Sequence, residues 1–336
     1  MTMCFNSSKI PPSPVAVWAA DIISLIGIPL FCIFLRTQYI IYTTETPSTD
    51  FGSGSMFDKI APRYDITNRF LAFNLDTSWR RQMVHEVVKD IVFVEDEEGN
   101  QNDKDAIHFL DLATGTADVA LLLSDEIKKQ TKSQTDALKS SSLVNVNIIG
   151  VDPSANMIDI GNQKIESRNK KEMKENIDLK LKVGDARDLT NFNDSSFDGA
   201  TMAFGIRNIP EKETALCEIH RVLKKNLSSN SQHSSRLAIL EFSEPDENSG
   251  ILGSVARFFI RNIVPVVGAT LSGAPKEYMH LQNSIQEFPA PAKFVELMEN
   301  LECKYEKRLK GKFKVEALHQ MNFGSVQLYI ARPYFD

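Results

Sequence analysis

Short apolar runs that end in small or acidic residues recur along this chain, and helical patterns follow several of them. They occupy 107–118 (IHFLDLATGTAD), 146–154 (VNIIGVDPS), 179–186 (LKLKVGDA), 196–205 (SFDGATMAFG) and 236–245 (RLAILEFSEP). Strands that alternate with helices at this spacing predict one α/β domain built on a mostly parallel, doubly wound sheet. Near the C-terminus, the alternating runs CKYEKRL and GSVQLYIARP predict an antiparallel pair at one edge of that sheet.

The charge and the cysteines narrow the possible function classes. The net charge is −6 with acidic and basic residues interleaved, so there is no basic stripe and nucleic acid is not an expected partner. Cys4, Cys32, Cys217 and Cys303 lie far apart in the sequence, and the six histidines are scattered. We therefore expect neither a disulfide framework nor a metal site.

The N-terminal residues differ in kind from the rest of the chain. Residues 15–35 form an apolar run that a single charge, Asp21, interrupts. This length fits either a bilayer-spanning helix or a leader that is later removed, and the sequence leaves both open. We therefore interpret 1–55 as a hydrophobic leader or membrane anchor plus linker, and 56–336 as the α/β domain. Polar surface insertions are expected in that domain near 129–143 and 226–235.

The ends of the predicted strands outline a pocket for a nucleoside. After the first strand, which carries Asp111, Gly115 lets the backbone approach a ligand and Thr116 can donate a hydroxyl hydrogen bond. Asp152 ends the second strand, where an acid accepts bonds from ribose hydroxyls, and Asp185 follows the third, where it suits an adenine amine. Taken singly, these residues could be helix caps or ordinary strand-to-helix turns. Because no G-x-G-x-x-G pattern and no phosphate loop accompany them, the predicted cofactor is S-adenosylmethionine.

Four separated segments resemble, in order, the signatures of the ubiquinone/menaquinone-biosynthesis C-methyltransferase family. They are FDKIAPRYDITNRFLAFNLDTSWRR (57–81), AFGIRNIP (203–210), RVLKK…LAILEFSEP (221–245) and YMHLQNSIQEFP (278–289). The resemblance covers nearly all of the chain from Met56 to Pro333 and implies the class I fold of S-adenosylmethionine-dependent methyltransferases. It departs from the family pattern where Thr114 and Ala117 replace glycines of the cofactor turn, and at Ala203, where a serine is usual.

The resemblance also implies a reaction, in which a methyl group passes from S-adenosylmethionine to a ring carbon of a prenylated quinol. The residues it implies are Tyr64, Asp152, Arg207 and Asn208 for catalysis, Ala186 and Ala203 beside the strand-end residues for the cofactor, and Tyr64, Asn68, Tyr278 and His280 for the substrate. A guanidinium stays protonated in proteins, so Arg207 is expected to stabilise a developing phenolate rather than to act as the base. The alternative for Arg207 is a structural ion pair. The apolar segment 251–271 is expected to shape a tunnel for the isoprenoid tail.

Two other functions stay open at this stage. One is a methyltransferase for a soluble small molecule, and the other is a non-catalytic subunit of a quinone-biosynthesis complex. The ring of the quinol, benzoquinol or naphthoquinol, is also open, although the Asp76-x-x-Trp79 form is closer to the menaquinone-type members. The leader, the linker and the insertions predict a membrane-associated organellar protein, of the mitochondrial inner membrane or the plastid.

Overall fold

The structure, a computed structural model, describes most of the chain beyond residue 53. The described residues are 54–72, 74–93, 106–138, 143–170, 176–225, 235–245, 250–264, 267, 280, 283–304 and 310–335. The apolar run at 15–35, the linker, Tyr278 and residues 226–234 of the second predicted insertion lie outside them. Among the described helices, none is long and apolar enough to cross a membrane.

One eight-stranded sheet organises the chain in the order β3-β2-β1-β4-β5-β8-β7-β6. The strands are β1 (Ile107–Leu112), β2 (Val146–Asp152), β3 (Ile177–Val183), β4 (Gly199–Ala203), β5 (Arg236–Phe242), β6 (Cys303–Lys304), β7 (Lys310–Met321) and β8 (Val326–Phe335). The first five pair in parallel, and β8, β7 and β6 continue the sheet in antiparallel fashion. This arrangement confirms the predicted doubly wound sheet with antiparallel C-terminal edge strands.

Seven α-helices accompany the strands in the described part of the chain. They are α1 (Ser55–Leu71), α2 (Asp76–Val88), α3 (Asp118–Leu138), α4 (Ala155–Asn169), α5 (Lys212–Val222), α6 (Gly250–Phe258) and α7 (Pro291–Glu299). The polar loop before α4 supplies its own cap, because the Ser154 hydroxyl accepts a hydrogen bond of 3.2 Å from the Met157 backbone N–H. A π-helical turn, Phe259–Ile263, extends α6.

Both faces of β1, β2, β4 and β5 are largely buried, as expected for parallel strands covered on both sides, whereas the edge strand β3 is largely exposed and carries alternating lysines. Successive residues of β1 point to opposite faces, so Phe109 and Leu110 belong to different apolar clusters. Leu110 packs in the cluster that contains Ile219 of α5, and Phe109 packs in the one that contains Met83 of α2. Packing on both faces holds the strands in place and thereby positions the residues that follow them.

The structure corrects two expectations about the bounds of the chain's elements. The helix after β1 does not end before the predicted polar insertion at 129–143, since α3 continues to Leu138 and the Gln134 side chain bonds both the Phe93 N–H and the Ile91 carbonyl, each at 2.7 Å. The segment holds no Gly or Pro to end the helix. The C-terminal pair is also larger than expected, because the long strand β7 lies between β6 and β8. A register shift between Val315 and Ala317 interrupts the alternation of β7 and hides its strand pattern.

The expectation about the cysteines is also corrected. Cys217 of α5 and Cys303 of β6 form a disulfide that joins positions 86 residues apart. Their separation in sequence gave no indication of this, because only the return of β6 to the far edge of the sheet brings the strand beside α5.

Candidate active site

The turn after β1 carries the first predicted cofactor residues. Ala113, Gly115 and Ala117 all adopt the left-handed conformation, with φ of 50°, 53° and 69°. A side chain built at Gly115 would meet no atom within 4 Å, so its backbone faces open space. The left-handed backbone of the two alanines costs conformational free energy, because the Cβ atom disfavours it. Local hydrogen bonds hold the turn in this conformation. One such bond runs from the Thr114 N–H to the Val151 carbonyl at 3.1 Å.

Asp111 supports this turn from behind. Its carboxylate accepts hydrogen bonds from the hydroxyls of Thr114 at 2.6 Å and Thr201 at 2.7 Å. Burial raises the pKa of Asp111 to about 6, and these two hydroxyl bonds only partly offset the effect. Asp111 is not among the described residues that line the cavity beside the turn. The structure therefore gives it a supporting position in place of the cofactor contact that the sequence suggested.

The other predicted cofactor residues meet around one cavity of about 90 Å³. Its lining includes Gly115, Thr116, Asp152, Asp185, Ala186, Ala203 and Asn208. The two oxygens of the Asp152 carboxylate accept N–H bonds of 2.9 Å from Gly115 and Ser154, and each oxygen keeps a second lone pair for a ligand hydroxyl. Burial raises the pKa of Asp152, against the lowering effect of these two bonds.

Asp185 is held by a neighbour that the sequence reasoning missed. The Arg187 guanidinium forms a bidentate ion pair with the Asp185 carboxylate, in which Nη2 lies 2.7 Å from Oδ2. Its Nη1 also donates to Glu211 at 2.5 Å. Arg187 lines the same cavity. Its position two residues after the acid was the only available signal. This grip fixes the Asp185 carboxylate at the cavity wall, where it can accept a bond from an amine.

Helix α1 closes one side of the cofactor cavity through a charged cluster that was not foreseen. Lys164 of α4 bonds Asp65 of α1 at 2.6 Å, Asp118 of α3 at 2.8 Å and the Thr116 hydroxyl at 2.7 Å. Burial alone would raise the pKa of Asp118, but Lys164, Arg80 and Arg69 hold it below its usual value. Tyr64 and Asp65 lie in the middle of α1. The structure describes no side-chain position for Tyr64, so its predicted roles stay predictions.

A second, apolar cavity of about 300 Å³ adjoins the first. It is lined by residues of α1, α2 and α6, and by Phe204, Phe242 and Phe323 at the ends of β4, β5 and β7. Phe57, Arg80 and Asn208 line both cavities, so they mark the junction. Of the predicted substrate residues, Asn68 and His280 line the apolar cavity. Burial, together with the charge of Arg207, lowers the pKa of His280 to about 4, and the imidazole is therefore neutral at pH 7.

Arg207 also lines the apolar cavity while it is held by a buried ion pair. Its Nη1 lies 2.5 Å from Glu241 and 2.7 Å from the Phe204 carbonyl oxygen. Both charged side chains are almost fully buried, and the guanidinium lies over the Phe242 ring at 5.6 Å. Arg207 thus forms the structural ion pair that was the alternative to a catalytic role. The pair holds the guanidinium at the wall of the apolar cavity, where Arg207 is still part of the lining.

A second charged pair at the junction was missed. Asp76 and Arg80, one turn apart on α2, form an ion pair, and the Arg80 guanidinium lies 5.4 Å from the centre of the Phe204 ring. Their i, i+4 spacing was visible in the sequence, but helical pairs of this kind are common on exposed faces. Here both residues line the apolar cavity.

Comparison with known proteins decides the family. The model of the ubiE/COQ5 methyltransferase family matches residues 46–321. This chain belongs to the ubiE/COQ5 methyltransferase family. Membership makes it an S-adenosylmethionine-dependent C-methyltransferase and confirms the predicted cofactor.

Several curated relatives match most of the chain. The ubiquinone/menaquinone biosynthesis C-methyltransferase UbiE of Geotalea uraniireducens is 35% identical over 72% of this chain and 84% of its own length. The demethylmenaquinone methyltransferases of Thermotoga maritima and Thermus thermophilus are each 33% identical, over 75% and 70% of this chain and 88% and 86% of their own lengths. This chain of the ubiE/COQ5 family thus resembles members with both kinds of name.

Proposed function

We propose that this chain methylates a ring carbon of a prenylated quinol in quinone biosynthesis, at the junction of its two cavities. The observation that carries the proposal is the shared lining: Phe57, Arg80 and Asn208 line both the cofactor cavity and the apolar cavity. A reaction between a nucleoside cofactor and a lipid-tailed ring needs such a meeting point. Holding the two reactants in line across it lowers the barrier chiefly by positioning.

The cavity that Asp152 and Asp185 line fits S-adenosylmethionine by the chemistry of these residues. Asp152 can accept ribose hydroxyls and Asp185 an amine, while the open side of Gly115 admits close approach. When bound, the cofactor supplies a methyl group on a sulfonium centre. Phe57 and Asn208 of the junction then exclude water from the reacting atoms and fix the orientation of the ring.

The apolar cavity fits a quinol and the first part of its tail. Arg207 and Arg80, each ion-paired with a carboxylate, place guanidinium groups beside the cavity, and their N–H groups can donate hydrogen bonds to a quinol oxygen as its hydroxyl loses the proton to solvent. The neutral imidazole of His280 offers a nitrogen that accepts a hydrogen bond from that hydroxyl. Ionisation delocalises charge to the adjacent ring carbon and makes it nucleophilic. Ile60, Trp79 and Ile260 are buried apolar neighbours for an isoprenoid tail.

The place of action belongs to the same proposal. A long isoprenoid tail resides in a bilayer, so an enzyme that takes such a substrate works at a membrane. The apolar run at 15–35 would serve as the anchor or as a leader to an organelle, the mitochondrial inner membrane or the plastid, and a complex with other quinone-biosynthesis enzymes is a further proposed partner. If a chain without residues 1–50 stayed fully membrane-bound in cells, the anchor role would be wrong.

The test is product mass. The full chain is incubated with S-adenosylmethionine and two prenylated acceptors, a demethylnaphthoquinol and a methoxybenzoquinol. Gain of one methyl group on either ring supports the proposal, and gain on only one ring identifies the acceptor. Cofactor binding without methylation of either ring would favour a soluble acceptor. No cofactor binding at all would favour a non-catalytic subunit.

A further inference from the structure

Helix α6 exposes apolar side chains to an unusual degree. Ile251, Leu252, Val255 and Phe258 are 57–83% exposed, on a helix of only nine residues. Their spacing places Ile251, Val255 and Phe258 on neighbouring turns of one helical side. Single exposed apolar residues are ordinary, but a contiguous group of them marks a surface that binds a protein, a ligand or a membrane.

This exposed group is continuous with the mouth of the apolar cavity. Leu252 and Val255 are exposed and also line the cavity, as does Phe323, which is 62% exposed on the turn that α6 contacts. We call Ile251, Leu252, Val255, Phe258 and Phe323 the rim patch. Exposed apolar side chains on the outside of the molecule therefore also form part of the lining of the apolar cavity.

The turn that carries Phe323 is held in a costly conformation. Asn322 and Phe323 are both left-handed, with φ of 47° and 57°. Local hydrogen bonds maintain the turn, among them Asn322 Nδ2 to the Ser325 hydroxyl at 2.8 Å and Gln327 Nε2 to the Gly324 carbonyl at 2.9 Å. A bulky aromatic residue in this conformation is uncommon, and such strain persists where a surface is used.

We infer that the rim patch rests on a lipid bilayer, with the mouth of the apolar cavity opened toward the acyl chains. The inference rests on the proposed function, because a prenylated quinol must leave the bilayer through this mouth. A protein seated on the same surface would close that route. Arg257 and Arg261 belong to the same helical segment, and Arg261 is ion-paired with Glu244 at 2.7 Å.

The charge of the molecule predicts which force holds it there. The chain as a whole carries a net charge of −6, so an anionic lipid surface does not attract it electrostatically. Apolar insertion then supplies the contact, and docking should persist on phosphatidylcholine vesicles and in high salt.

The experiment compares two ways of delivering the acceptor to the full chain. The test variant is Ile251→Glu with Phe258→Glu, since neither residue is among the described residues that line the cavity. The matched control is Val92→Glu with Leu143→Glu, two exposed apolar residues beside the amino ends of the parallel strands. For each protein, kcat/KM is measured with the long-tailed quinol in phosphatidylcholine vesicles and with the same ring on a short, water-soluble tail. Melting temperatures verify that all variants are folded.

The expected result is a fall of about tenfold in the ratio of vesicle to soluble kcat/KM for the rim variant, and no fall for the control. An unchanged ratio in the rim variant overturns the inference. If sedimentation then shows that the rim substitutions convert a dimer into monomers, the patch covers a second copy instead.

Failure of the proposed function gives a different signature. If the wild type methylates neither the long-tailed nor the short-tailed quinol, the function is wrong, and co-flotation with vesicles still tests docking when all three proteins lack residues 1–50, because the apolar run at 15–35 is then absent. Less flotation of the rim variant than of the wild type and the control supports the bilayer contact. Equal flotation of all three proteins overturns it.

Discussion

At the scale of single residues, Asp111 shows how the interior of this protein uses a carboxyl group without exposing it to a ligand. The sequence places acids after three successive strands, and only two of them, Asp152 and Asp185, reach the cavity. The side chain of Asp111 turns inward to hydroxyls of Thr114 and Thr201. A strand pattern predicts where a residue stands along the strand, but these inward bonds follow from tertiary packing.

The raised pKa of Asp111 predicts a specific pH dependence of stability. In the folded protein the pKa of Asp111 is about 6, whereas the ordinary pKa of an aspartate, which applies to the unfolded chain, is 3.8. This contribution to the free energy of unfolding is fully present below pH 3.8 and is lost as the pH rises through about 6. Asp111→Asn does not titrate, so its free energy of unfolding should gain about 3 kcal/mol relative to wild type across that window.

Urea unfolding between pH 3.5 and pH 7 measures the difference, with exposed Asp178→Asn as the control. A difference between Asp111→Asn and wild type that stays constant with pH would contradict the buried, raised pKa.

At the scale of elements, the packing of α1 against the cofactor turn decides how the site is closed. The sequence resemblance identified this segment and its Tyr64, but not the ion cluster that fastens it. Lys164 comes from α4, 99 residues after Asp65, and nothing local connects them. The bounds of α3 and the existence of β7 were missed for a related reason, because a polar helix and an interrupted strand both lack a clear apolar period.

Breaking the Lys164 cluster should loosen α1. In Lys164→Met, Asp65 and Asp118 lose their shared cation, and like charges remain side by side. The dissociation constant for S-adenosylmethionine should rise about three- to tenfold, since the pairs are partly exposed and screened. Amide hydrogen exchange in α1 should accelerate at the same time.

Isothermal calorimetry and hydrogen exchange measure the two effects, and Lys170→Met at the end of α4 is the matched control. Exchange in α1 that is equally slow in Lys164→Met and in wild type would show that the cluster does not fasten the helix.

At the scale of the whole molecule, the parallel sheet order brings the residues that line the cofactor cavity together at the carboxyl ends of the strands. The parallel half and the antiparallel edge strands were predictable, because alternation of strands and helices and the paired C-terminal runs are strong patterns. The disulfide was not, since Cys217 and Cys303 meet only once the sheet is complete. The existence of two adjoining cavities also depends on how α1, α2 and α6 pack, which no single segment encodes.

The disulfide should stabilise the antiparallel edge without serving the reaction. Closing a loop between positions 86 residues apart restricts the unfolded chain, so reduction should lower the free energy of unfolding by about 2–4 kcal/mol. Urea unfolding with and without reductant measures the loss. Cys217→Ser with Cys303→Ser should be equally destabilised and insensitive to reductant. If reductant leaves the free energy of unfolding of the wild type unchanged, the disulfide contributes nothing to stability.

The most direct test of methyl transfer at the junction is single-turnover methylation by Asn208→Ala. Asn208 lines both cavities, so its loss should slow methylation of the prenylated quinol about 100-fold, by analogy with removal of one transition-state hydrogen-bond donor. The dissociation constant for S-adenosylmethionine should change less than about threefold, because Asp152 and Asp185 remain. The exposed Asn193→Ala variant should behave as wild type. A wild-type rate in Asn208→Ala would contradict the placement of the reaction at this junction.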